Sequence, residues 1–399
     1  MNIFKKIYCR TYQFALKVAM PFLPYRQPKI LTNYASLCDV LKNNDIKNVL
    51  LVADKTLIEL GLTKELSEQL DKENIKYFVY DKTVPNPTTD NVLAGLEMYK
   101  NNACQAIIAL GGGSIMDCAK AIGAKIARPN KDLGKMEGIL KVRKKTPLIF
   151  AIPTTAGTGS ETTIASVITD SQTRHKYAIN DFVLIPSYAI LDASLTLGLP
   201  PKITATTGMD ALTHAVEAYI GKSTTKKTRE YALNAIRLIF DNILVVYKDG
   251  KNLNARKNML KASYLAGLAF TQSYVGYVHA VAHSLGGKYN VAHGEANAIL
   301  LPVVLKKYGK SIYKKLQKIC LALNLCDKTL SGEECAQQFI EKIEKLNKDM
   351  NIGTKIPQIQ LEDIPALAKT ADKEANPLYP VPTLYDAKAL QSIYYDVME

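Results

Sequence analysis

Histidine is scarce in this chain, five copies among 399 residues, and whatever imidazole does here is done by very few side chains. The seven cysteines (Cys9, Cys38, Cys104, Cys118, Cys320, Cys326 and Cys335) form no CxxC pair, in a chain too long to need disulfide staples. A reducing cytoplasm is therefore the expected compartment. No uninterrupted apolar run reaches bilayer-spanning length, so a soluble protein without membrane insertion is expected. The opening "MNIFKKIYCRTYQFALKVAMPFLPY" is not expected to act as a secretory leader, because Arg10 and Lys17 interrupt any apolar core and no small-residue cleavage site follows. Internal repeats and low-complexity tracts are missing as well. The formal net charge of +14 would attract polyanions, yet basic clusters such as "KVRKK" lack interleaved aromatics or a reading motif. Nucleic acid is not an expected partner.

What is present is globular composition, 47% hydrophobic and 22% charged, at a length that predicts two domains. The first half alternates strand-length apolar runs, "NVLLVAD" (48–54), "KYFVYD" (76–81), "AIIALGGG" (106–113) and "PLIFAIPTT" (147–155), with helix-length segments such as 56–73. That alternation predicts a parallel sheet covered on both faces, with ligands gathering at the carboxyl ends of its strands. After "LTLGLPPK" (195–202) only helical patterns remain, over 205–220, 226–247, 254–288, 297–323 and 332–347. The expected organisation is an N-terminal extension over 1–24, an α/β dinucleotide-binding domain over 25–200 and an all-α metal- and substrate-binding domain over 201–399. Within the extension, Phe4, Tyr8, Tyr12, Ala15, Ala19 and Phe22 recur at three- and four-residue steps, giving an aromatic helical stripe. Such a stripe suits an interfacial membrane helix, but packing on its own or a neighbouring subunit is the preferred reading.

"GGGSIMDCAK" (111–120) follows a buried strand directly and opens a helix. Three glycines let backbone N–H groups approach a phosphate, and the helix N-terminus favours negative charge, so a pyrophosphate is the expected ligand. The usual GxGxxG after the first strand is lacking. Asp54, at the tip of that strand, suits either a ribose hydroxyl or a helix N-cap. A second small-residue turn, "PTTAGTGSE" (153–161), offers hydroxyls at another strand end, suited to a cofactor's phosphates or amide.

Asp210 and His214 lie four apart in "GMDALTHAVEAY", on one face of a predicted helix. His279 and His283 repeat that spacing in "HAVAHSLGG", and His293 follows in "AHGEANA". Four of five histidines joined to an aspartate at chelate spacing point to a metal site. A nitrogen-rich shell suits divalent iron or zinc and disfavours magnesium. Such an ion would polarise an alcohol or carbonyl oxygen beside a nicotinamide, leaving one imidazole to shuttle the proton.

These stretches, with "DKTLIELG", "VPNPT", "KYAI", "AILDASLT" and the closing "NPLYPVPT", resemble the iron-containing (group III) alcohol dehydrogenases in order and spacing from about residue 25 onward. The resemblance implies that Asp210, His214, His279 and His293 hold the metal and that His283 handles the proton. It assigns Asp54, Asn86, Gly112, Gly113, Ser114, Asp117, Thr154, Thr155 and Lys176 to cofactor binding, Asp54 favouring NAD over NADP. Phe270 matches a position bordering the substrate pocket. Where many members carry small residues before the first histidine of the cluster, "FTQSYVGYVH" places Tyr274 and Tyr277, which implies a narrower or more polar pocket. His175 matches no ligand position and is expected in a surface loop.

The resulting expectation is a cytoplasmic, homo-oligomeric, metal-dependent NAD(P)-linked dehydrogenase or reductase acting on a small primary alcohol or aldehyde, with Fe2+ or Zn2+ bound. Two alternatives stand beside it. A dehydroquinate-synthase-like lyase shares the architecture, but its phosphorylated substrate needs a basic pocket and a different ligand set. A basic, non-catalytic nucleotide-binding scaffold would have no reason to keep every candidate ligand.

Overall fold

The four apolar runs of the first half become neighbouring strands of one parallel sheet in the computed structural model, which describes residues 1–399 apart from the side chain of Pro21. One unit comprises Pro24–Gly198. Its elements are β1 (Lys29–Leu31), α2 (Tyr34–Asn43), β2 (Asn48–Val52), α3 (Lys55–Glu59), α4 (Lys64–Lys72), β3 (Lys76–Tyr80), α5 (Thr89–Asn101), β4 (Ala106–Gly111), α6 (Gly113–Ala127), β5 (Gly138–Ile139), β6 (Leu148–Pro153), β7 (Ala165–Thr169), β8 (Lys176–Asn180) and β9 (Tyr188–Ile190), after α1 (Ile3–Ala19). The main sheet runs β1-β9-β6-β4-β2-β3, every pair parallel. Alternate residues supply two separate cores: Leu50, Ile107 and Ile149 pack with Ile115 and Ile122 of α6, while Leu51, Ile108 and Phe150 pack with Leu37 of α2 and Leu70 of α4. Both faces of the sheet are thus apolar, which is why its strands read as continuous hydrophobic runs. Strands β1 and β9 escape the sequence reading because three residues are too few to show alternation, and the small sheet β5-β8-β7 is half-buried.

The second unit, Leu199–Glu399 with Met1–Leu23, is helical. It comprises α1, α7 (Pro201–Ile220), α8 (Lys226–Lys248), α9 (Leu253–Ser273), α10 (Tyr277–Tyr289), α11 (His293–Tyr308), α12 (Tyr313–Ala322), α13 (Gly332–Asp349), α14 (Ile364–Ala375) and α15 (Ala387–Val397). Three long helices expected from the periodicity are each broken in two. Gly61 at φ +72° separates α3 from α4, Tyr274 at φ +62° separates α9 from α10, and Gly309 at φ +47° ends α11. These left-handed residues stop the i to i+4 ladder without disturbing the apolar pattern, so periodicity alone reads through them.

The N-terminal helix requires a correction. Phe4, Tyr8 and Phe22 of the aromatic stripe are 80%, 58% and 85% exposed, and the buried face instead centres on Cys9 and Gln13. Gln13 Nε2 donates to the carbonyls of Pro377 and Tyr379 (3.1 and 2.7 Å), and Arg10 donates to those of Val381 and Pro382 (2.8 and 3.0 Å). Lys5 pairs with Asp372 at 2.7 Å. Hydrogen bonding to loop carbonyls, rather than apolar contact, anchors α1, and binary patterning cannot reveal that. Among the described residues, no helix is long and apolar enough to cross a membrane.

Candidate active site

Helix α7 is buried nearly throughout, and its polar side chains at Asp210, His214 and Glu217 stand one turn apart on a shared face. Helix α10 brings His279 and His283 to that face, and the first residue of α11 is His293. Gly294 makes the last placement possible: a Cβ there would lie 2.5 Å from the Thr206 carbonyl oxygen, so no larger residue lets α11 begin against α7. One ligand atom each from Asp210, His214, His279 and His293 lies within 4.8 Å of all the others. From Asp210 Oδ1 the imidazole nitrogens are 4.0 Å (His214 Nδ1), 3.8 Å (His279 Nε2) and 3.4 Å (His293 Nε2) away.

The polar contacts around this cluster fit a cation. Glu217 Oε2 lies 2.6 Å from His279 Nδ1 and accepts from the Gly276 N–H at 2.8 Å, while its Oε1 accepts from the Val278 N–H at 2.9 Å. With Nδ1–H committed to Glu217, His279 Nε2 presents a lone pair to the cluster, and this buried atom has no hydrogen-bond partner among the described residues. Burial, and then the neighbouring His214, His293 and His283, hold the His279 imidazole well below its ordinary pKa and so in the neutral form that ligates. Burial also pushes Glu217 up to about 7. Asn297, one turn beyond His293, donates to Asp210 Oδ1 at 2.7 Å and keeps that carboxylate turned inward.

His283 is arranged differently. Its Nδ1 lies 2.6 Å from Glu374 Oε1, which also accepts from the Tyr379 hydroxyl at 2.7 Å. Burial pushes Glu374 up, but His283 and that hydroxyl outweigh it, so the carboxyl sits below its ordinary value. The side chains of His283 and His293 are 36% and 38% exposed against 2% for Asp210, so the cluster opens to the surface on their side. Their rings stack at 5.1 Å. Phe270 stacks on His214 with centroids 4.1 Å apart, which places it at the rim of the cluster, and Tyr274 is half-buried at the break before α10. Tyr277 does not join them. It is fully buried, and its hydroxyl bonds to Asn376 (3.2 Å) and the Tyr385 backbone (3.0 Å), so it supports the loop after α14 rather than narrowing a pocket.

The other candidates lie in the sheet unit. Gly111 at the end of β4 pairs with Pro153 at the end of β6, so the "GGGS" and "PTTAGTGSE" turns leave adjacent strand ends side by side. Gly112 caps α6 without a side-chain hydrogen bond, and a Cβ on Gly113 would come within 3.0 Å of Thr158. The two turns therefore form a cradle of bare backbone that a side chain would fill, as a pyrophosphate requires. Ser114 and Thr155 are half-buried beside it and Thr154 is buried. The Asp54 carboxylate accepts from the Leu57 N–H at 2.9 Å, the N-cap geometry, while Lys176 Nζ donates to Asn86 Oδ1 at 2.6 Å. His175, exposed between β7 and β8, lies 3.0 Å from Glu137.

Beneath the cradle is a network that sequence reasoning missed. Lys120 is fully buried, and its Nζ donates to Ser160 Oγ (2.9 Å), Thr163 Oγ1 (2.7 Å) and three backbone carbonyls. It ties α6 to the second turn. Ser160 also donates to Asp117 at 3.2 Å, so Asp117 braces the turn; burial pushes its carboxyl up to about 6. Glu161 is buried nearby with Oε1 unpartnered, and burial pushes it up to about 7. Glu217 is likewise absent from the sequence-derived site, although its place seven residues after Asp210 in an apolar helix is a legible signal. Tyr379 lies within the closing "NPLYPVPT", which carries no sign of its role, and Glu374 has no local signal.

Comparison with known proteins identifies the family. Residues 31–193 match the family model described as iron-containing alcohol dehydrogenase, and residues 204–398 match its C-terminal counterpart. The chain is 39% identical over 341 residues to alcohol dehydrogenase 4 of Saccharomyces cerevisiae, covering 84% of this chain and 87% of that one. It is 39% identical over 361 residues to the 1,3-propanediol dehydrogenase of Citrobacter freundii, covering 90% and 92%. A crystal structure of a 1,3-propanediol oxidoreductase superposes with a TM-score of 0.89 at 36% identity, over 94% of this chain and 99% of that one. The chain belongs to the iron-containing alcohol dehydrogenase family.

Proposed function

We propose that the chain catalyses reversible hydride transfer between NAD and a small primary alcohol or aldehyde, with a divalent ion held by Asp210, His214, His279 and His293. The observation that carries this reading is the buried, unpartnered His279 Nε2 among three further ligand atoms, all within 4.8 Å. Iron(II) or zinc bound there would supply Lewis acidity toward the substrate oxygen, and NAD the hydride acceptor.

The chain's own residues do the rest. Glu217 fixes the His279 tautomer, and Phe270 shields the His214 ring from water. His283, with Nδ1 held by Glu374, takes or returns the hydroxyl proton at Nε2, on the open side of the cluster. Gly112, Gly113 and Ser114 at the start of α6, with Thr154 and Thr155 opposite, bind the cofactor's pyrophosphate. Asn86, Asp117 and Lys176 serve the same ligand, and the Asp54 carboxylate would accept from the ribose hydroxyls, favouring NAD over NADP. Phe270 and Tyr274 border the substrate. Six buried free cysteines suit a reducing cytoplasm, and a homo-oligomeric state completes the proposal.

The test is nicotinamide absorbance with a panel of short aldehydes, before and after chelation. Activity lost on chelation and restored by ferrous or zinc ion supports the reading, and activity that survives complete metal removal overturns it.

A further inference from the structure

Helix α1 has two faces with opposite fates. The inner one is fixed by Lys5, Arg10 and Gln13 to residues 372–382, all through hydrogen bonds or an ion pair, with Cys9 buried beside them. The outer one is apolar: Ile3, Phe4, Ile7, Tyr8, Phe14 and Val18 are each between 54% and 80% exposed. At about 100° per residue these six fall within one half of the helix circumference, and Lys6 and Lys17 share its flank. The inner bonds are directional, so the helix cannot roll to hide its apolar side. An isolated exposed apolar residue needs no explanation, but a fixed stripe of six does. Helix α1 lies outside the residues that match the family models, which begin at residue 31.

Charge selects the occupant. The first 38 residues hold six basic side chains (Lys5, Lys6, Arg10, Lys17, Arg26 and Lys29) and no aspartate or glutamate. A second copy seated on this face offers no carboxylate from α1 to match them. In an antiparallel two-fold pairing the same flank of each helix meets its mate, setting Lys6 against Lys17. A layer of lipid phosphates meets the same flank with opposite charge.

We propose that α1 docks the protein on an anionic lipid surface. The helix lies in the plane of the headgroups, with Phe4, Ile7, Phe14 and Val18 at the acyl boundary and Lys6 and Lys17 against the phosphates. Nothing crosses the bilayer.

The test is co-sedimentation of the full chain with vesicles of equal parts phosphatidylglycerol and phosphatidylcholine, or of phosphatidylcholine alone. The chain should pellet with the anionic vesicles, lose that binding as salt is raised, and stay in solution with the neutral ones. Phe4→Asp/Phe14→Asp should lower the bound fraction about tenfold or more, since both rings leave the apolar boundary. Its NADH-linked activity should be unchanged, because neither residue touches the site. Lys6→Glu/Lys17→Glu, which leaves every inner contact intact, should bind as poorly and covers the case in which the first variant misfolds. Failure of the unmodified chain to bind anionic vesicles overturns the proposal, as does binding by both variants that matches that of the unmodified chain. Light scattering that shows the unmodified chain in a larger assembly than Phe4→Asp/Phe14→Asp also overturns it, because a second copy then covers the face.

Discussion

Glu217 Oε2 stands 2.6 Å from His279 Nδ1, and that contact decides which nitrogen of His279 faces Asp210. The same carboxylate receives two backbone N–H groups at the start of α10, so it sets both the ring and the helix that carries it. Glu217→Gln keeps the size but points an amide N–H₂ at groups that are themselves donors. Affinity for ferrous or zinc ion, measured by competition with a chromogenic chelator, should fall about 10- to 100-fold. Unaltered affinity would mean that His279 needs no such support.

Glu374 and Tyr379 should affect turnover without affecting metal. They hold His283, which is not among the four proposed ligands. Glu374→Gln should lower kcat by about 100-fold, within the range attributed to positioned acid-base groups, and Tyr379→Phe by less. Metal content should match the unmodified chain in both. A parallel loss of bound metal would show that this pair supports the cluster as a whole.

Asp54 separates two roles in one substitution. Replacing an N-cap by glycine costs only a few tenths of a kcal/mol, so Asp54→Gly leaves α3 largely intact while removing the carboxylate. The ratio of kcat/KM for NADP to that for NAD should rise, because repulsion of the 2′-phosphate is gone. An unchanged ratio would leave Asp54 as a cap alone.

The buried carboxyl of Glu161 predicts a pH dependence. Its folded value, about 7, is above the ordinary one because burial disfavours the charge more than Lys120 favours it. The folded state therefore holds this proton more tightly than the unfolded state, and the stability it contributes is present at pH 4 and lost as pH rises through about 7. Glu161→Gln removes a charged form that is costly to bury, so it should stabilise by about 1 to 3 kcal/mol at pH 8 and by little at pH 5. Melting temperatures at the two pH values check this. A loss of stability at pH 8 would show that the Lys120 attraction outweighs the burial cost.

Much of this organisation was legible because the relevant signals are local. Continuous apolar runs mark β2, β3, β4 and β6, four of the six strands of the main sheet, and the four-residue spacing of Asp210 and His214 is itself the geometry of a helix face. The contacts that shape the site are long-range: Glu374 reaches His283 across 91 residues of sequence, and Lys120 reaches Ser160 across 40. No periodicity encodes such pairs. The outward turn of Phe4 and Phe22 is not legible for a related reason, since a helix pattern shows which residues share a side but not which side meets the rest of the chain. Gln13 and Arg10 settled that through carbonyls more than 360 residues away.

The central claim is that one divalent ion, held by four side chains from three helices, is required for turnover. The most direct measurement is metal content per chain alongside NAD-linked alcohol oxidation, for the unmodified chain and for His279→Ala. About one ion per chain in the first, with metal and activity lost together in the second, is the expected result. Full activity and an undiminished ion in His279→Ala would contradict it.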